Sequence, residues 1–203
     1  MNKLIKDALA LTAITVVSGL LLGLVYGITK EPIAKQQEKT QMEAYQEVFP
    51  DAESFEDYID AGDETMRSVL DENGFEAQEI DKMVKAIGAD GSQLGFVVTV
   101  TTSEGYGGDI QFTMGVSEDG TLNGISILSI GETPGLGMKA DTEEFKSQFV
   151  GKNAEVLRYT KTGAAADDEI DALSGATITT NAMTNGVNAG LCAFREAMKG
   201  GIE

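Results

Sequence analysis

The chain has 203 residues, 33 acidic against 15 basic, a formal net charge of −18, no histidine and one cysteine. Such an acidic balance repels nucleic acid and anionic lipid surfaces, and without histidine there is no Ser-His-Asp or Cys-His catalytic set and no usual zinc site. No catalytic or metal-ligating set is therefore assigned, and the scattered carboxylates read as solvated faces.

In chain order, residues 8–29 form an uncharged stretch of 22 residues, where a membrane-crossing helix needs about 20. It is longer than the apolar region of a cleaved signal peptide, and no convincing cleavage site follows Gly27. Residues 1–30 thus read as a membrane anchor helix. Thr15, Gly19, Gly23 and Gly27 recur at four-residue steps, a groove of small side chains that suits a partner helix. Lys3 and Lys6 precede the span and Lys30, Lys35 and Lys39 follow it, so the lysine count does not orient it. Residues 31–50 continue as a helical stalk, with Met42, Tyr45 and Phe49 on one side, a kink expected at Pro32 and an end at Pro50.

Residues 51–203 are expected to form one domain with its own core. The acidic segment 51–75 holds two short apolar runs, 55–59 and 66–70, read as one or two short elements; 80–87 suits a strand or a short helix equally. Residues 96–101 are β-rich. Ile110, Phe112, Met114 and Val116 alternate with Gln111, Thr113 and Gly115, the pattern of a half-buried strand. Ser117-Glu118-Asp119-Gly120 supplies a turn, and 122–130 returns as the next strand. A short helix is expected over 141–149, with Asp141 and Glu144 spaced for its start, then a strand over 155–161 and a flexible acidic loop over 163–168. From Met183 the apolar positions Val187, Leu191, Phe194 and Met198 follow a helical spacing, with Thr179, Thr180 and Asn181 as cap residues and Cys192 as a small buried hydrophobe. The predicted fold class is α+β: one N-terminal transmembrane helix, then an antiparallel sheet with packed helices. No internal repeat is present.

Two segments carry chemistry. Asp171-Ala172-Leu173-Ser174-Gly175-Ala176-Thr177 places a small hydroxyl-bearing turn directly ahead of the last helix. Thr177 falls at or just before a helix N-terminus, where unpaired N–H groups and the helix dipole stabilise an anion. Gly175 and Ala176 allow a phosphorylated ligand close to the backbone. The second segment, Gly131-Glu132-Thr133-Pro134-Gly135-Leu136-Gly137-Met138-Lys139, combines one fixed φ at Pro134 with glycines that permit tight turns. Read without a ligand, the first is a helix cap and the second a turn between strand and helix.

Together, with Tyr106-Gly107-Gly108 ahead of them, these segments resemble the FMN-binding subunits that carry flavin on a threonine through a phosphoester bond. The family motif Asp-x-x-Ser/Thr-Gly-Ala-Thr is matched at every specified position, and Glu132 to Gly137 match its Glu-Thr-Pro-Gly-Leu-Gly signature. The resemblance implies FMN attached covalently to Thr177 by a flavin transferase, with Asp171 a residue for that transferase or its metal. It also implies contacts from Ser174, Gly175 and Ala176 at the phosphate end and from Glu132, Thr133, Gly135, Leu136, Gly137 and Lys139 along the flavin. Lys139 is the nearest compensating cation, and Tyr106 or Leu136 are alternatives for packing on the ring.

Within that family, length and texture look most like the G subunits of Rnf complexes, which move electrons between ferredoxin and NAD while translocating sodium ions or protons. What this implies is an electron-carrying subunit with other membrane subunits as partners, in the cell membrane as a single pass, its C-terminal domain on the extracytoplasmic side. The related C subunit of the sodium-translocating NADH:quinone reductase is the alternative within the family. An acidic scaffold ectodomain without flavin is the alternative outside it.

Overall fold

The computed structural model describes residues 3–60 and 62–200. Helix α1 (Lys3–Val48) runs through Pro32 without a break in its assignment. Its most apolar stretch has a mean hydropathy of 2.3 with nothing buried, long and apolar enough to cross a membrane by length and composition. The hydroxyls of Thr12, Thr15 and Thr29 each donate to the carbonyl four residues back, at 2.9 Å. These three hydroxyls are thereby satisfied within the helix, as a lipid environment favours.

The compact unit runs from Met42. Five antiparallel strands, β1 (Ala52–Asp60), β2 (Gln78–Gly88), β3 (Gln93–Thr102), β4 (Ile110–Ser117) and β5 (Leu122–Ile130), pair in sequence order as a meander. Between β1 and β2 lies α2 (Glu64–Glu72), capped by the Asp63 carboxylate accepting from Met66 N–H at 2.8 Å. The segment 51–75 thus yields one strand and one helix, and 80–87 is strand.

Alternation divides the sheet into two faces. Phe96, Val98 and Val100 of β3 and Ile110, Phe112, Met114 and Val116 of β4 enter the larger core, with Met66 and Leu70 of α2 and the long helix α4 (Thr177–Met198). Val84, Ala86 and Val97 enter a second cluster with Tyr45, Val48 and Phe49, so the last turns of α1 cover the other face. For this reason β4 is buried on both faces rather than half-buried. A Cβ on Gly115 would lie 2.8 Å from the Val48 carbonyl oxygen. On the α4 side the approach is equally close: a Cβ on Gly186 would meet the Phe112 ring at 2.8 Å. Cys192 is buried in α4, and burial pushes its thiol up.

The segment expected as one helix over 141–149 is instead a 3-10 turn (Gly137–Asp141), a four-residue helix α3 (Glu143–Lys146) and a second 3-10 turn (Ser147–Phe149). Thr142 interrupts it in an extended conformation, φ −94° and ψ 149°, and Asp141 does not cap it. The strand expected over 155–161 shrinks to β6 (Arg158–Thr160), which pairs in parallel with β7 (Glu169–Asp171). Helix α4 begins at Thr177, so Thr179, Thr180 and Asn181 lie inside it rather than capping it.

Candidate functional site: a glycine-walled cleft at the start of helix α4

Two tight turns meet beside the first turn of α4. Past the end of β5, Leu136 N–H donates to the Thr133 carbonyl at 3.1 Å. Pro134 occupies the second position of this turn and Gly135 the third, at φ +77°, the arrangement of a type II turn. Ahead of α4, Ala176 N–H closes a like turn onto the Leu173 carbonyl at 3.0 Å, with Gly175 at φ +78° in its third position. The turns touch: a Cβ on Gly175 would lie 3.1 Å from a methyl of Leu136. Gly137 is packed harder still, since its Cβ would lie 2.5 Å from Glu132 Oε2 and 2.6 Å from Thr179 Oγ1.

These contacts shape a cleft of about 600 Å³, within the range of about 300–1,000 Å³ usual for small-molecule and cofactor sites. Thr133, Leu136 and Gly137 line it from the first turn, and Gly175, Ala176 and Thr177 from the second. Tyr106, Glu132, Ile178 and Thr179 complete the wall. Thr177 is half-buried and is the first residue of α4, whose preceding residue, Ala176, offers no capping side chain. The first hydrogen bond of the helix runs from Thr180 N–H to the Ala176 carbonyl at 3.0 Å. The N–H groups of Thr177, Ile178 and Thr179 precede it and carry the positive end of the helix dipole.

The threonines of this turn have different duties. Thr180 Oγ1 accepts from Leu173 N–H and donates to the Ala176 carbonyl, both at 3.0 Å, and so ties the turn to the helix from inside. Thr179 is 1% exposed. Of these three threonines, Thr177 is the one that keeps a half-buried hydroxyl within reach of the cleft.

Not every residue of the two motifs reaches this wall. Gly135 shapes its turn without lining the cleft. Ser174, Lys139 and Asp171 line a neighbouring hollow of about 360 Å³, together with Thr142, Glu144 and Gln148. Lys139 therefore does not line the cleft, whose one carboxylate is Glu132. Asp171 Oδ1 accepts from Ala164 N–H at 2.5 Å, and its own N–H donates to Gln148 Oε1 at 2.6 Å. Sequence reasoning missed Ile178, an apolar side chain exposed beside Thr177 at the cleft. Its signal was an isoleucine placed among threonines in the first turn of a helix. It also missed the role of Glu132 toward the Tyr106 backbone, a contact across 26 residues that no local pattern announces.

The chain is similar to known proteins over most of its length. The FMN-binding domain family matches residues 105–191, which contain the whole cleft, and the family described as RnfG N-terminal region matches residues 1–48. The chain is 34% identical to the G subunit of the Na(+)-translocating ferredoxin:NAD(+) oxidoreductase complex of Acetobacterium woodii, over 96% of this chain and 93% of that one. It is 32% identical to the G subunit of the proton-translocating ferredoxin:NAD(+) oxidoreductase complex of Clostridium ljungdahlii, over 87% and 84%. Among solved structures, the C subunit of the Na(+)-translocating NADH-quinone reductase of Parabacteroides distasonis shares the fold. Its TM-score is 0.54 at 17% identity, covering 81% of this chain and 94% of that one. The chain belongs to the family of G subunits of ion-translocating oxidoreductase complexes and carries that family's FMN-binding domain.

Proposed function

We propose that this chain is the membrane-anchored electron-transfer subunit of a complex coupling electron flow between ferredoxin and NAD to the translocation of Na+ or H+. We further propose that its FMN is joined through the phosphate to the Thr177 hydroxyl. The observation that carries this reading is the position of Thr177: a reachable hydroxyl on the wall of a cofactor-sized cleft, at the first residue of a helix with no capping side chain. The N–H groups of residues 177–179 would hold the phosphate, and the backbone of Gly175 and Ala176 admits it at close range.

Bound FMN supplies one- and two-electron chemistry, joining two-electron donors to one-electron carriers. The chain's own part is position. Leu136 and Ile178 are exposed apolar side chains at the cleft, so a ring held there would keep an edge within reach of a neighbouring subunit. A chain of net charge −18 repels a free phosphate dianion, and an ester bond to Thr177 overcomes that repulsion permanently. Lys139 and Ser174, on the far side of the Leu173–Ala176 turn, act on the turn's charge and shape. Asp171, exposed in that neighbouring hollow, is left for recognition by the flavin transferase.

The resemblance to covalent FMN-binding subunits supports an extracytoplasmic domain held by an anchor over residues 1–30 and a stalk over 31–50. The other subunits of the complex are its partners. The chain expressed in membranes with a flavin transferase is expected to be yellow and to keep its flavin fluorescence through denaturing electrophoresis. Thr177→Ala abolishes that band, and Ser174→Ala only weakens it. A colourless wild-type chain would favour an acidic scaffold instead.

A further inference from the structure

The segment 103–109 between β3 and β4 is fixed to its surroundings by a series of separate contacts. Ser103 N–H donates to the Ala77 carbonyl at 2.9 Å. The Glu104 carboxylate accepts from Asn185 Nδ2 on α4 at 2.7 Å and from Gln78 Nε2 on β2 at 2.9 Å. Tyr106 N–H donates to Oε1 of Glu132, itself only 5% exposed, at 2.8 Å. Gly107 lies backbone against backbone, for a Cβ there would collide with the Gly131 carbonyl oxygen. The side chain borne by this firm mount is Tyr106, 73% exposed and lining the cleft.

A large aromatic held rigidly in water loses the hydrophobic gain of burial, unless a flat partner covers it. Leu136, the other ring-packing alternative, is 44% exposed against 73% for Tyr106 and sets one methyl against Gly175 at the join of the two turns. We propose that Tyr106 is the residue that stacks on the flavin ring, and that Glu132 is its positioning residue, acting through the Tyr106 N–H. This rests on the FMN reading and adds to it which side chain meets the ring.

The test is the steady-state fluorescence of the flavin on the full chain, purified after attachment. A phenol stacked on a flavin quenches it: the phenol gives one electron to the photoexcited ring and takes it back, and both return to the ground state without emission. Tyr106→Leu is expected to brighten the flavin several-fold. Tyr106→Phe brightens it similarly while leaving the absorption band shape in place, because phenylalanine stacks but does not donate. Tyr106→Trp stays dark. Glu132→Ala brightens the flavin by freeing the mount, and Glu132→Gln, which keeps an oxygen acceptor for the Tyr106 N–H, stays dark. Because Tyr106 is exposed, its substitutions leave the core untouched. Attached flavin whose emission in Tyr106→Leu equals the wild type overturns the assignment and leaves the FMN reading standing. A wild-type chain without flavin removes both.

Discussion

Leu136 lies across Gly175, one methyl 3.1 Å from the position a Cβ would take there. That contact welds the glycine loop to the turn ahead of α4, so both sequence motifs form one cleft wall. Gly175 also sits at φ +78°, a conformation that costs a residue with a Cβ about 1–2 kcal/mol. Gly175→Ala is accordingly expected to lower the thermal midpoint of the purified chain and reduce the fraction carrying flavin. An unchanged melting curve would mean that the turn relaxes freely.

Gly137 and Gly135 separate packing from strain. Gly135 has φ +77° with nothing near its missing Cβ, whereas a Cβ on Gly137 would be driven into Glu132 and Thr179. Overpacking of this kind costs about 1–3 kcal/mol. Gly137→Ala should therefore disturb the cleft floor and depress flavin attachment more than Gly135→Ala, as read by fluorescence per chain on a denaturing gel. The reverse order would show that loop conformation, not the fit against α4, controls loading.

Within α4 two effects of opposite sign compete. Replacing a helical glycine by alanine favours the helix by about 1 kcal/mol, but a Cβ on Gly186 meets the Phe112 ring at 2.8 Å. Since overpacking of about 1–3 kcal/mol exceeds that gain, Gly186→Ala is expected to destabilise the domain. Gly190→Ala meets the flexible Met114 side chain instead and should cost less, because methionine can move aside. Chemical denaturation of the two variants ranks them directly.

The join between the end of α1 and the sheet predicts opposite pH slopes for two carboxyls. Burial pushes Glu47 up, but hydrogen bonds from Ser126 at 2.5 Å and Lys146 at 3.0 Å, with the Lys146 charge, outweigh it and hold the group below its ordinary value. Stability from Glu47 is then present above the ordinary glutamate range and lost as pH falls through the lowered value. Burial raises Asp141, with Lys146 opposing and Glu47 and Glu143 adding to the rise. Its ionised form costs stability at neutral pH, and the cost is relieved as pH falls through the raised value. Glu47→Gln should therefore destabilise at pH 7 by no more than about 1 kcal/mol, the scale of a half-exposed ion pair, with the effect fading in acid. Asp141→Asn should stabilise at pH 7, its advantage also fading in acid. Thermal melts across pH 3–8 check both signs.

The cleft was legible in sequence where its chemistry is local. Gly175 and Gly135 mark positive-φ turn positions, and Thr177 precedes a helical repeat, so both turns could be read from neighbouring residues alone. What escaped depends on distance along the chain. Tyr45, Val48 and Phe49 look like one side of any helix, and nothing nearby shows that they cover the second face of the sheet. The Phe145 and Phe149 spacing suited a helix, and both rings do meet in the core at 5.5 Å, yet Thr142 breaks the helical run before them. Lys139 and Ser174 belong to the motifs by sequence but fall on the other side of a turn, a matter of which way a four-residue loop faces. The Glu104–Asn185 hydrogen bond joins residues 81 positions apart and leaves no trace in composition or period.

The most direct measurement is peptide mass mapping of the chain isolated from its native membrane. The proposed function requires the peptide containing Thr177 to carry the mass of FMN less water, with fragmentation assigning the adduct to the Thr177 side chain and the Thr177→Ala peptide unmodified. An unmodified Thr177 peptide in the native chain, or flavin found on Thr179 instead, would contradict it.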